Sequence, residues 1–167
     1  MKKPGISMEI PGFGKRQIST ILTDYSGTLS RAGKLTPGVK KRLTGLAKAV
    51  DIHVLTADTF GTAQSEIEGC PVEFHPLQGE NHHDIKKREF LKQQRLDPKH
   101  VAVLGNGNND RLLLKAVKDA GGLAIAVDNG EGCAIDAITN AHLFVVGVLN
   151  ALDLLLKRTG CKATLRF

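Results

Sequence analysis

Short apolar runs alternate with amphipathic segments along most of the chain. Ile18–Leu22, Ile52–Leu55, Val101–Leu104, Leu123–Val127 and Leu143–Val146 are each only four or five residues long. Apolar side chains at successive positions over such lengths suit strands buried on both faces of a parallel sheet. Between the runs lie helical patterns. Thr36 can cap a helix with Pro37 at its first position, and Val39, Leu43, Leu46, Ala47 and Val50 fall on one face. Arg111–Ala120 reads as a second helix with Gly121 just past its end. Val148–Arg158 reads as a third, with Leu152, Leu155 and Leu156 on one stripe. Strand–helix alternation predicts an α/β fold built on a mainly parallel sheet with helices on both faces. Residues 1–167 read as one domain. Its first part, 1–17, has the Pro11, Gly12 and Gly14 of a hairpin, and its tail, 159–167, reads as an edge strand.

In sheets of this kind ligands bind beyond the carboxyl ends of the strands. The predicted strands end at Asp24, Thr56 and Asn106, with Asp110 soon after. Bulk composition narrows the chemistry only a little. The chain is 41% hydrophobic and 24% charged, which excludes a disordered or fibrous chain. Its net charge of +6 favours an anionic partner. One Tyr, no Trp and scattered Phe residues argue against nucleic acid. Cys70, Cys133 and Cys161 form no CxxC pair, so the expectation is a reducing cytoplasm with neither a disulfide framework nor a zinc site. No apolar run approaches the ~20 residues of a membrane span. The start, broken by Pro4, Gly5 and Pro11, does not read as a signal peptide.

Four motifs carry candidate chemistry. Asp24 opens DYSGTLS directly after a strand, where a carboxylate can attack a phosphoryl group and form an aspartyl-phosphate. Gly27 lets the backbone pass close to the phosphate, and its neighbour Thr28 can offer an N–H. Thr56, followed by Ala57, ends the second run with a hydroxyl able to donate to phosphoryl oxygen. Lys87, or its competitor Lys86, can neutralise the transferring group, although a Lys-Lys-Arg run is also an ordinary solvated helix face. Finally, the loop Gly105–Asp110 can place oxygen ligands around Mg²⁺, with Asn109 inside it; Asn-Gly also favours a plain turn. His82-His83-Asp84 invites a metal reading, but no matching ligand spacing follows, and a polar loop is the simpler expectation.

The order Asp-x-x-Gly-Thr-Leu, Thr, Lys, Gly-x-Gly-x-Asn-Asp resembles the four-motif order of the haloacid dehalogenase (HAD) superfamily. DYSGTLS resembles the DKTGTLT of P-type ATPases, and the interval from Lys87 to Asn106 resembles that of their phosphorylation domain. The stretch Thr56-Ala57-Asp58-Thr59-Phe60-Gly61-Thr62 is similar to that of the soluble, uncapped P-type-ATPase-like family of prokaryotes. The resemblance implies a Rossmann-like HAD fold and Mg²⁺-dependent phosphohydrolase activity on a small phosphorylated substrate. It makes Asp24 the nucleophile and a metal ligand, with the Ser26 carbonyl, Asn106 and Asp110 completing the metal site. Thr56 and Lys87 would hold the phosphoryl group, with Gly27, Thr28, Ala57 and Asn109 around it.

Two positions depart from that pattern. Ser26 stands where phosphatases of the superfamily carry a second Asp as general acid and base, a role typically worth 10²–10⁴-fold. Asn106 replaces the first metal-binding Asp and can offer only a neutral oxygen. Slow hydrolysis, or a phosphate-binding regulatory module, is the alternative these residues raise. The intervals 25–55 and 59–85 are too short for a substantial cap. Uncapped members commonly build their walls by forming homo-oligomers.

Overall fold

The computed structural model describes residues 2–58 and 61–167. Its centre is a six-stranded, all-parallel sheet. It is formed by β3 (Thr20–Thr23), β6 (Asp51–Thr56), β7 (Glu73–Pro76), β8 (Val101–Gly105), β9 (Leu123–Asp128) and β10 (Leu143–Val146). The spatial order is β10-β9-β8-β3-β6-β7, so the chain moves outward from β3 in one direction and then returns to build the other half from β8. Thr20 therefore pairs with Asp51 on one side and with Val101 on the other.

Side-chain alternation explains why the strand sequences are apolar without a break. Ile21, Ala102, Leu104, Leu123 and Ile125 face one helical layer, α1 (Val39–Leu46), α6 (Val148–Lys157) and α7 (Thr159–Leu165). Leu22, Val101, Val103, Ala124 and Ala126 face the other, α3 (His83–Gln93), α4 (Arg111–Ala120) and α5 (Ile135–Thr139). With a helix layer on each side, both faces of every central strand are dry. Gly121 ends α4 at φ +85°, the left-handed geometry a C-terminal glycine supplies without a Cβ penalty.

The N-terminal segment forms an antiparallel pair, β1 (Ile6–Ile10) with β2 (Gly14–Ile18), turning at Pro11–Phe13. Ile6, Met8 and Ile10 are buried against the first layer while Ser7 and Glu9 are exposed. A small pair, β4 (Ser30–Arg31) with β5 (Lys34–Leu35), follows the Asp24 motif, and a one-turn helix, α2 (Ala63–Glu66), follows Thr62.

Several expectations need correction. The tail 159–167 is not an edge strand: Thr159–Leu165 is helical. Cys161 and Leu165, four residues apart, lie on one side of that helix against the core, a spacing a strand could not use. Thr36 does not cap α1. That helix starts after Gly38 at φ +93°, and the Thr36 hydroxyl instead accepts from Asn129 Nδ2 at 2.8 Å. The run Ile18–Leu22 is split at Ser19, with Ile18 closing β2 and Thr20 opening β3. Strand β7 and helix α3 are additions. Thr59 and Phe60 of the TADTFGT stretch lie outside the described residues.

Helices α1 and α6 pack together, and Leu43 of α1 and Leu155 of α6 are both fully buried. Leu43→Ala is expected to lower unfolding free energy by about 2–5 kcal/mol in a urea titration, through lost burial and the cavity left behind. Ile135→Ala, at a side chain 71% exposed, should change it by no more than ~0.5 kcal/mol.

Candidate functional site

The sheet reverses its build direction between β3 and β8, and in open α/β sheets ligands gather at such a switch. Asp24 follows β3 there, and its N–H donates to the Leu104 carbonyl of β8 at 3.1 Å. The chain then turns sharply: the Tyr25 carbonyl accepts the N–H groups of Thr28, Leu29 and Ser30. Gly27 sits in that turn at φ +74°, and a Cβ there would collide with the Asn106 carboxamide. The turn after β3 and the loop after β8 are thus packed against each other. Thr28 Oγ1 joins them by donating to Asn106 Oδ1 at 3.2 Å.

Lys87, on α3, is fully buried. Its Nζ donates to Asp24 Oδ1 at 2.9 Å and to Asp110 Oδ1 at 2.6 Å. The other oxygen of Asp110 accepts the N–H groups of Asn106 and Gly107, each at 3.0 Å. Gly105 must lack a side chain because a Cβ would lie 2.6 Å from Asp110 Cβ. Lys86, the competing lysine, is only half-buried and bonds the Gln78 carbonyl, away from Asp24.

One ammonium between two carboxylates leaves an excess negative charge in a buried place. Burial pushes the Asp24 carboxyl up to about 7; Lys87 pulls against that rise and Asp110 adds to it. Burial alone would lower the Lys87 ammonium, but Asp110 and Asp24 outweigh it and hold it above its ordinary value.

A cleft of about 390 Å³ opens over this cluster, lined by Asp24, Ser26, Thr56, Ala57 and Asn106–Asn109. Thr56 Oγ1 accepts the Asp58 N–H at 2.9 Å, which leaves its own hydrogen free to donate. Two polar atoms of the cleft, Ser26 Oγ and Asn109 Oδ1, are buried without a partner. Buried oxygens rarely stay unpaired unless a ligand or ion completes them. An all-oxygen donor set with surplus negative charge suits a hard divalent cation such as Mg²⁺. Asp24, Ser26 and Asn106 could hold one, whereas both oxygens of Asp110, the fourth ligand expected, are engaged by Lys87 and by the Asn106 and Gly107 N–H groups.

Of the residues singled out in the sequence, Asp24, Ser26, Thr56, Ala57, Asn106 and Asn109 line the cleft. Lys87 and Asp110 lie buried behind it, and Gly27 and Thr28 build the turn beneath. His82-His83-Asp84 forms no metal cluster. His82 precedes α3 at φ +61°, His83 Nε2 meets the Gly79 carbonyl at 2.7 Å, and Asp84 accepts from Arg111 Nη2 at 3.1 Å. That last pair was not anticipated. It locks α3 to α4 one turn from Lys87, and its only trace in the sequence is an Asp three residues before the lysine.

No protein-family model matches the chain. An uncharacterized protein of Methanocaldococcus jannaschii, MJ0073, is 40% identical over 82 residues, covering 49% of this chain and 83% of that protein. Among solved structures, the 3-deoxy-D-manno-octulosonate 8-phosphate phosphatase of Moraxella catarrhalis, bound to magnesium, phosphate and KDO, superposes with a TM-score of 0.66. It is 14% identical, with 87% of this chain and 90% of that chain covered. The cobalt-bound deoxy-D-mannose-octulosonate 8-phosphate phosphatase of Haemophilus influenzae gives 0.64 at 16% identity, covering 87% and 91%. The chain shares the Rossmann-like fold of these phosphatases.

The charge balance predicts opposite outcomes for two substitutions. A carboxyl raised on folding contributes stability that is present below its unfolded value, near 4, and lost as pH rises through about 7. Asp24→Asn removes that loss and should match or exceed the parent's stability at pH 8, with no gain at pH 4. Lys87→Met strands two buried carboxylates and should cost about 3–5 kcal/mol at pH 8, less at low pH where Asp24 takes up its proton. Denaturant titrations at both pH values check the pair.

Proposed function

We propose that this chain, which belongs to the same family as MJ0073 of Methanocaldococcus jannaschii, is a Mg²⁺-dependent phosphohydrolase of the HAD superfamily. Its substrate is a phosphomonoester or acyl phosphate, and Asp24 is its nucleophile. One observation carries this reading: a buried ammonium joins Asp24 and Asp110 under an oxygen-lined cleft at the sheet's switch point.

The Asp24 carboxylate attacks phosphorus, and the bond from phosphorus to the leaving oxygen breaks. An aspartyl-phosphate forms, and water then cleaves it. Lys87 offsets the charge gathering on the nucleophile and the phosphoryl oxygens. The Thr56 hydroxyl and the backbone N–H groups of Ala57 and Gly27 orient those oxygens, with Asn109 beside them; the Thr28 N–H, expected to join them, is instead taken by the Tyr25 carbonyl. Asp110 holds Lys87 and the Asn106–Gly107 backbone in place. When bound by Asp24, Ser26 and Asn106, Mg²⁺ supplies positive charge that lets a dianionic phosphate enter a site negative on its own.

A neighbouring cleft shares Asn108 and Asn109 with the first and adds Glu80, His82, His83, Asp84 and Arg111. It gives the organic part of a small substrate a polar resting place. The motif resemblance supports placement in the soluble, uncapped P-type-ATPase-like branch. Three unpaired cysteines support a reducing, cytoplasmic setting.

Ser26 favours a second reading. A hydroxyl cannot carry the proton traffic of leaving-group departure near neutral pH, so a long-lived phosphoryl-enzyme would make the protein a regulatory module rather than a catalyst.

Release of inorganic phosphate from an aryl phosphate should require Mg²⁺ and vanish in Asp24→Asn. Covalent phosphate accumulating on Asp24 without release would favour the regulatory reading. Inertness of the native chain in both assays would remove the phosphoryl-transfer proposal. Ser26→Asp should raise turnover of an unactivated alkyl phosphate by about 10²–10⁴-fold while changing aryl phosphate turnover much less, which steady-state kinetics on both substrates will show.

A further inference from the structure

Among the described residues the outer strand β7 is hydrogen-bonded only to β6, and the two carry an unusual trio across their pairing. His53 of β6 stands opposite Glu73 of β7, and His75 lies two residues further along β7, on the same face as Glu73. Three atoms converge: His53 Nδ1, His75 Nε2 and Glu73 Oε2. Their separations are 3.0 Å between the two nitrogens, 3.4 Å from His53 to the carboxylate and 3.7 Å from His75 to it.

Zinc held tetrahedrally by imidazole and carboxylate at its usual bond lengths sets neighbouring ligand atoms about 3.3 Å apart. The observed triangle brackets that value. A hydrogen bond between the rings accounts for one edge of the triangle and not for the other two. Each imidazole nitrogen has a single in-plane position for a proton or a lone pair, yet both nitrogens face the same carboxylate oxygen as well as each other. One cation at the centre satisfies all three atoms together.

The surroundings hold the donors in place and leave a path in. The Phe90 ring of α3 packs edge-on against both imidazoles, at 5.6 and 4.7 Å between centroids, and restrains their orientation. His53 is buried, His75 half-buried and Glu73 exposed, so the trio opens to solvent on the carboxylate side. None of the three lines the Asp24 cleft.

We propose that His53, Glu73 and His75 form a second metal site, which takes a zinc-class transition ion and staples the edge strand β7 to β6. Two nitrogens and one carboxylate oxygen select zinc, cobalt, nickel or copper over Mg²⁺. The fourth position is open to water, and the ion's role is to hold the strand.

The test is equilibrium dialysis of the full chain against Zn²⁺ with excess Mg²⁺ present, reading metal per chain by atomic emission. Melting temperature is measured with and without Zn²⁺. One zinc per chain and a raised melting temperature are expected. Both should be lost in His75→Gln, and affinity should fall by at least about 10–100-fold in Glu73→Gln, since even losing an outer partner of a metal ligand costs that much. Co²⁺ in place of Zn²⁺ should show the visible absorption of a tetrahedral ion in the native chain alone. Retention of no zinc, or equal retention by native chain and variants, overturns the proposal; the second result would assign the ion to another site. Should His75→Gln fail to fold, Glu73→Gln decides alone, because its side chain is exposed and its loss leaves the packing intact.

Discussion

The buried ammonium of Lys87 is the constraint on which the rest of the site depends. Withdrawing such a charge from water is costly unless it is paired and fully hydrogen-bonded. Here the pairing comes from two carboxylates far away in the chain, Asp24 after β3 and Asp110 after β8. The lysine can therefore be buried only when the sheet has brought those two strands side by side and α3 has been laid across their ends. Asp84 and Arg111 fix that helix from the other direction, bonding α3 to the first residue of α4. Asp110 completes the arrangement by gathering the Asn106 and Gly107 N–H groups, so one carboxylate shapes the loop and anchors the lysine.

The same pairing sets the chemistry available. Two carboxylates against one ammonium leave the site short of positive charge, and two oxygens of cleft-lining residues, Ser26 Oγ and Asn109 Oδ1, are buried without a partner. Such a site repels a phosphate dianion until a cation enters with it. A likeness of fold to phosphatases at 14–16% identity does not supply that chemistry by itself. What favours phosphoryl transfer is the set of groups at the switch point, and what favours slow turnover is the hydroxyl of Ser26.

Where sequence patterns failed, they failed for physical reasons. Helix α3 lacks a clear apolar stripe because Lys87 occupies a place in its buried face beside Phe90 and Leu91. The residue that matters most in the helix is the one that erases its periodic signal. Strand β7, Glu73–Pro76, is an edge strand with two polar residues and a terminal proline, and such strands carry little hydrophobic alternation. The tail read as an edge strand, but a helix that buries Cys161 in the core prevailed. Thr36 looked like a cap, yet the glycine two residues later began the helix.

The sequence by itself determined the strand–helix alternation, the positions of Asp24, Thr56 and Asn106 at strand ends, and the glycines that let the loops close. These depend on short-range patterning, which each segment carries alone. Tertiary structure decided which of Lys86 and Lys87 is buried, which donors Asp110 serves, that Asp84 pairs with Arg111, and that His53, Glu73 and His75 meet across two strands. Each of these is a contact between segments distant in the chain, set by strand order and register, and no local pattern encodes which partners the sheet will bring within reach.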